Sequence, residues 1–200
     1  MVRAVFVGSL DALDEALDRT VSSPSSVCVL ATAAAFRGVD EALEEVRGRL
    51  IARGATVHAI PGTDRASASD DDIVARVASS DVVVLLDGAP LHARSVWRNS
   101  PLVAALAAST LVCVGATGSV LGATMIDPRG GAPTTGLGLF SDVVVGVAVS
   151  VEQSARTRLL VGDQTLVELG RGTVVEYDGH WNVVDGRDLV VTRDGASVEL

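Results

Sequence analysis

Two hydroxyls that flank a single glycine, Thr117 and Ser119, lie in the stretch Leu111-Val-Cys-Val-Gly-Ala-Thr-Gly-Ser-Val-Leu-Gly122. An aliphatic hydroxyl becomes a useful nucleophile only beside a base. The chain has three histidines, His58, His92 and His180, far apart and in unlike contexts. His92 follows the fourth apolar strand, at the same sheet edge as the two hydroxyls, so His92 or Asp127 is a candidate base for Ser119. Arg129 offers a planar guanidinium that would bind a substrate carboxylate through two hydrogen bonds. No metal-ligand spacing is visible among the histidines and cysteines, and no cofactor is implied. Gly8-Ser9-Leu10 is not a dinucleotide fingerprint, and a phosphate-binding loop is excluded because every basic residue is arginine. The absence of lysine also removes Schiff-base chemistry.

These residues need a scaffold, and the hydrophobic pattern predicts one. Leu111 to Val114 is a short apolar run bounded by turn signals, as in a strand covered on both faces. Glycine then permits a tight turn, and a helix is expected to start there. Similar buried strands are expected at Arg3 to Val7, Val27 to Thr32, Ala55 to Ile60, Asp81 to Leu86 and Val143 to Ser150. Between them lie the amphipathic stretches Leu10 to Val21, capped by Ser9, and Arg37 to Arg53, stopped by Gly54. Ser69-Asp-Asp-Asp72 loads negative charge onto the start of a helix over Ile73 to Ser79, and Pro101 opens a helix over Leu102 to Ala108. A helix is expected over Glu152 to Leu160, and Asp127 to Gly136 reads as a loop. The strands at 165–169, 173–177, 181–184 and 189–192 are separated by Gly and Asp turns and predict antiparallel hairpins.

Alternating strand and helix imply a three-layer α/β/α fold with a mostly parallel sheet, followed by C-terminal antiparallel β-hairpins. We expect one domain over 1–200, with a parallel core over 1–160 and a β-rich portion over 161–200. Ligands in such sheets bind at the carboxyl ends of the strands, which is where Leu111 to Gly122 turns. The composition agrees: 48% hydrophobic residues but only 3% aromatic ones make a core of Val, Leu, Ala and Ile. Net charge is −9, with no basic cluster, which argues against nucleic acid or an anionic membrane as partner. Cys28 and Cys113 sit inside apolar strands and are expected as buried reduced thiols. Trp97 and Trp181 are expected as packing or interface residues. The N-terminus starts directly in a strand and no run is long enough to span a membrane, so a cytoplasmic protein is expected.

Several segments resemble the cyanophycinase and dipeptidase E family of serine peptidases, whose fold is related to flavodoxin-like class I glutamine amidotransferase domains. Val29-Leu-Ala-Thr-Ala-Ala-Ala35 is similar to the family's second-strand segment. Asp81-Val-Val-Val-Leu-Leu-Asp-Gly-Ala-Pro90 is similar to its "D-x-v-x-l-x-G-G-x-P" stretch, and Ser95 to Leu102 to the family's next segment. Asp127-Pro-Arg-Gly-Gly131 and Gly136-Leu-Gly-Leu139 resemble segments beyond the nucleophile turn, and Gly162-Asp-Gln-Thr165 does so more weakly. The family turn reads about G-x-S-A-G-A. Counted from Gly115, its serine falls on Thr117, and Ser119 lies two residues on. The partner histidine falls near Val149-Ser150. The first glycine of the G-G turn is Asp87, leaving Gly88 to supply an oxyanion-hole amide.

Each replacement opposes the family chemistry. A β-branched residue fits poorly at the backbone angles of a nucleophile elbow. A threonine hydroxyl without a base stays protonated. Asp87 places negative charge where negative charge must develop. The resemblance therefore implies a peptidase-like protein that has lost hydrolysis and acts by binding, assembly or regulation, with a small peptide or amino-acid-like ligand and a homodimeric state. The other reading is an active serine-type hydrolase of aspartyl peptides that uses Ser119 or Thr117.

Overall fold

Side-chain alternation along the apolar strands assigns each residue to one of two cores. The computed structural model describes residues 2–147 and 150–200. In β1 (Arg3–Val7), Ala4 and Phe6 face one side while Val5 and Val7 face the other. The same split holds in β2 (Ser26–Leu30), β4 (Val82–Leu85) and β5 (Thr110–Val114), whose inner residues are all buried. Strands buried on both faces are what a helix-covered parallel sheet requires. β3 (Thr56–Ile60) completes the parallel set, and the seven-stranded sheet runs β11-β10-β1-β5-β4-β2-β3. The two strands beyond β1, β10 (Val174–Tyr177) and the edge strand β11 (Trp181–Asp185), form an antiparallel hairpin.

The first core lies under α1 (Leu13–Thr20) and α2 (Val39–Ile51), where Leu13, Leu17, Leu43, Val46 and Leu50 are buried. The opposite core lies under α3 (Asp71–Ala78), α4 (Pro90–Trp97) and α5 (Leu102–Ala108). This is the expected three-layer α/β/α arrangement. The acidic run before α3 acts as a cap: the Asp70 carboxylate accepts from the Asp72 and Ile73 amides, both at 3.0 Å. Cys28 and Cys113 are buried free thiols, on strands that β4 separates. Burial pushes the Cys28 thiol up to about 12 and raises that of Cys113 as well. Trp97 is fully buried, and its Nε1–H donates to Thr32 Oγ1 at 3.1 Å. Among the described residues no helix is long and apolar enough to cross a membrane.

Four features differ from the sequence expectation. First, α4 occupies a segment with no predicted helix; Pro90 at its first turn was the available start signal. Second, the predicted loop over 127–136 contains a strand, β7 (Pro133–Thr135), which pairs antiparallel with β6 (Thr124–Ile126). Third, β9 (Thr165–Leu169) does not pair with β10. It lies parallel to β8 (Val143–Val147) and antiparallel to β12 (Val190–Arg193), in a second sheet of order β13-β12-β9-β8 that ends at β13 (Ala196–Ser197). Burial decides this: all of β9 is buried, so it needs partners on both sides. Fourth, the strand expected through Ser150 is described to Val147; Ala148 and Val149 lie outside the described residues. Ser150 instead caps α6 (Val151–Val161), accepting from the Gln153 amide at 3.2 Å.

Candidate active site

After β5 the chain makes a short 3-10 helix of about two turns over Gly115–Val120, not the start of an α-helix. The left-handed backbone position is Gly115, at φ +57°, immediately after the strand. Thr117, expected there from the glycine spacing, is not among the residues with positive φ. A threonine would be strained in that region and a glycine is not, so the turn takes its sharp bend two residues earlier. Thr117 is fully buried and its hydroxyl donates to the Leu86 carbonyl at 2.7 Å. The Ser119 hydroxyl donates to the Ala116 carbonyl, also at 2.7 Å. Both hydroxyls thus tie backbone to backbone. Neither has a His, Asp or Glu as hydrogen-bond partner among the described residues.

The loop after β4 meets this turn. The Asp87 carboxylate accepts from the Gly88 amide at 2.8 Å and from the Ala116 amide at 2.9 Å, both through Oδ1. The Arg37 guanidinium stands 3.8 Å from its Oδ2. A Cβ built on Gly115 would lie 2.4 Å from the Asp87 Cγ and 2.4 Å from Oδ1. The carboxylate therefore occupies the space that a side chain at the left-handed position would need. On its outer side Asp87 borders a cleft of about 390 Å³ shared with Ser9, Arg37, Arg49 and Arg171.

The remaining predicted site residues are dispersed. His92 is on α4; its Nε2–H donates to the Thr63 carbonyl at 2.8 Å and its ring packs edge-on against Phe36. That commits Nε2 to Thr63, while the Ser119 hydroxyl has a carbonyl as its own partner. Asp127 turns the β6–β7 connection, where its carboxylate accepts from the Arg129 amide at 2.8 Å, and Arg129 is exposed. Ser150 is an exposed helix cap, and Val149, the other position matched to the family histidine, lies outside the described residues. Gly88 alone of these converges with the turn. No group of three or more metal-ligating side chains occurs among the described residues.

Behind the turn is a cavity of about 100 Å³ between the 3-10 turn, β8, β9 and α6. Ala116, Ser119, Ile126, Val147 and Leu166 line it, together with Glu168, which is 3% exposed. Glu168 Oε2 accepts from Arg158 Nε at 2.6 Å. Sequence patterning assigns Glu168 only to a strand. The available signal was a single carboxylate on the same strand face as Leu166, two residues away, in an otherwise apolar run.

Solved structures of peptidases share this architecture. The crystal structure of a peptidase from an acI-B1 Actinobacterium superposes with a TM-score of 0.73 at 20% identity, covering 100% of this chain and 97% of that one. A candidate peptidase E protein from Listeria monocytogenes EGD-e superposes at 0.64 with 12% identity, covering 96% and 98%. The chain has a peptidase-like fold. Neither a protein-family model nor a curated protein matches the sequence. At these identities the likeness is one of fold, and what happens at the turn rests on this chain's own residues.

Proposed function

We propose that this chain is a peptidase-fold protein without peptidase activity, which acts by binding a small amino-acid-like molecule. The observation that supports this reading is the turn at Gly115. A left-handed residue at the end of a central strand, with two backbone N–H groups converging beside it, is the framework of a nucleophile elbow and its oxyanion hole. Here the elbow residue lacks a side chain, and the Asp87 carboxylate fills both the nucleophile's space and the two donors. A resident negative charge opposes the anion that acyl transfer must generate. On this reading Gly115, not Thr117, holds the elbow position, and Gly88 and Ala116 hold the hole.

The hydrolase alternative needs a base for Thr117 or Ser119, and each hydroxyl is already committed to a carbonyl. The test is a direct assay on aspartyl dipeptides and β-aspartyl-arginine, with fluorophosphonate labelling in parallel. No turnover and no label are expected. Turnover abolished by Ser119→Ala or Thr117→Ala would overturn the proposal.

A further inference from the structure

The polar groups around the elbow are mutually satisfied, whereas the cavity behind it keeps three with bonding capacity to spare: the second Glu168 oxygen and the Ser154 and Thr157 hydroxyls. Glu168 is the one titratable residue lining that cavity among the described residues. A carboxylate offers about four acceptor sites, and Arg158 occupies one of its oxygens. No enclosed side-chain oxygen or nitrogen of the described residues lacks a partner, so the second Glu168 oxygen keeps access to open space, which here is the cavity. Ser154 and Thr157 stand three residues apart on α6, so they share a helix face. They are 8% and 5% exposed and line the same cavity. Neither hydroxyl is hydrogen-bonded to another described residue. The rest of the lining is largely apolar, with Pro90, Ile126, Val147 and Leu166.

We propose that this cavity binds a small organic cation, an alkylammonium of about four to six non-hydrogen atoms. Its ammonium group would donate to Glu168 and to the Ser154 and Thr157 hydroxyls, and its chain would lie along the apolar wall. An ammonium carries three donors and no acceptor, which matches a site whose one charged group is an acceptor. The Arg158 guanidinium does not line the cavity, and its side chain is 33% exposed, so solvent screens it more than Glu168. A cation gains a charge-assisted hydrogen bond to the carboxylate, a neutral alcohol gains an ordinary one, and an anion is repelled. Gly146 borders the cavity, and a Cβ there would meet Ile126 and Leu166 only at 3.8 Å, ordinary contact distance. That glycine leaves space which the fold does not require.

This proposal names the ligand class for the binding role above and rests on that reading, yet the two fail separately. Peptide hydrolysis, read as turnover, would overturn the first, while a cavity that takes up no alkylammonium would overturn only the second.

The test titrates the intact ¹⁵N-labelled protein with n-butylammonium, n-butanol and n-butyrate, following the amides of Val147, Thr157 and Leu166. Butylammonium is expected to saturate these shifts at a concentration about tenfold below butanol, with no response to butyrate. Glu168→Gln should bring cation and alcohol to within about twofold of each other. Gly146→Val, which fills the space with a strand-favouring side chain, should weaken both by about tenfold or more. If Glu168→Gln fails to fold, the Gly146→Val comparison decides. No saturable shift with butylammonium, equal binding of butyrate, or unchanged binding in Gly146→Val would overturn the proposal.

Discussion

Gly115, next to the turn residues that line the cavity, and Gly146, on the cavity's own wall, do opposite things. At Gly115 the backbone is left-handed and the space a Cβ would need is filled by the Asp87 carboxylate. At Gly146 the strand is regular and a Cβ would find ordinary contacts. One glycine is required by a neighbour that has moved in; the other keeps a space open. The elbow is therefore a closed device, satisfied by its own chain, and the cavity behind it is where an incoming molecule can still make new bonds.

The largest effect should come from forcing the elbow. Gly115→Ser places a side chain both in the left-handed region, at about 1–2 kcal/mol, and against Asp87, disrupting one of its two hydrogen bonds at about 1.5–3 kcal/mol. A loss of about 3–5 kcal/mol in urea unfolding is expected, and the Gly115→Ser/Asp87→Gly double variant should recover at least about 1 kcal/mol of the summed losses. An additive cycle would break the idea that the carboxylate occupies the side-chain space. Next, Asp87→Ala leaves the Gly88 and Ala116 amides without their acceptor, at about 1–3 kcal/mol. Acetate, added back against a chloride control, should raise the melting temperature of Asp87→Ala and leave the parent protein unmoved.

On the other side of the comparison, Gly146→Ala should be neutral or stabilising by up to about 1 kcal/mol, through the smaller entropy of the unfolded chain. A clear loss of stability would mean the space is not free. A surface ion pair remote from both walls sets the scale for these numbers. The Arg19 guanidinium, hydrogen-bonded to Glu176, holds that carboxyl below its ordinary range. A depressed folded-state value means the pair's contribution is present above the unfolded glutamate range and is lost as pH falls through the folded value. Arg19→Ala should thus cost under about 1 kcal/mol near neutral pH, and the difference from the parent should shrink once acid takes the pH below the ordinary glutamate range of about 4.3 and vanish below the folded value.

Much of this molecule could be read from the chain alone, and the exceptions have physical causes. The two-faced apolar strands 27–30, 82–85 and 111–114, alternating with amphipathic helices, announced a covered parallel sheet. The C-terminal strands were legible as strands, but their partners were not: β9 and β10 are separated by four residues and join different sheets, a choice made by burial and not by turn chemistry. α4 is eight residues long and shows its period too briefly. At the site, Asp87 was recognisable as a carboxylate where the resembled family has a glycine. That it would reach across into Gly115 was not, since residue spacing carries no backbone angle. Counting glycines put the elbow on Thr117; the sign of φ puts the bend on Gly115.

The clamp on Asp87 also has a kinetic face. A carboxylate attached one residue from its own donor amide competes as a tethered ligand, with an effective concentration far above the millimolar range of short flexible linkers because its loop is already folded in place. Free carboxylates such as amino acids, diffusing past at ordinary cellular levels, meet an occupied hole. The elbow is in that sense a receptor permanently saturated by its own sequence, deaf to the anions that surround it.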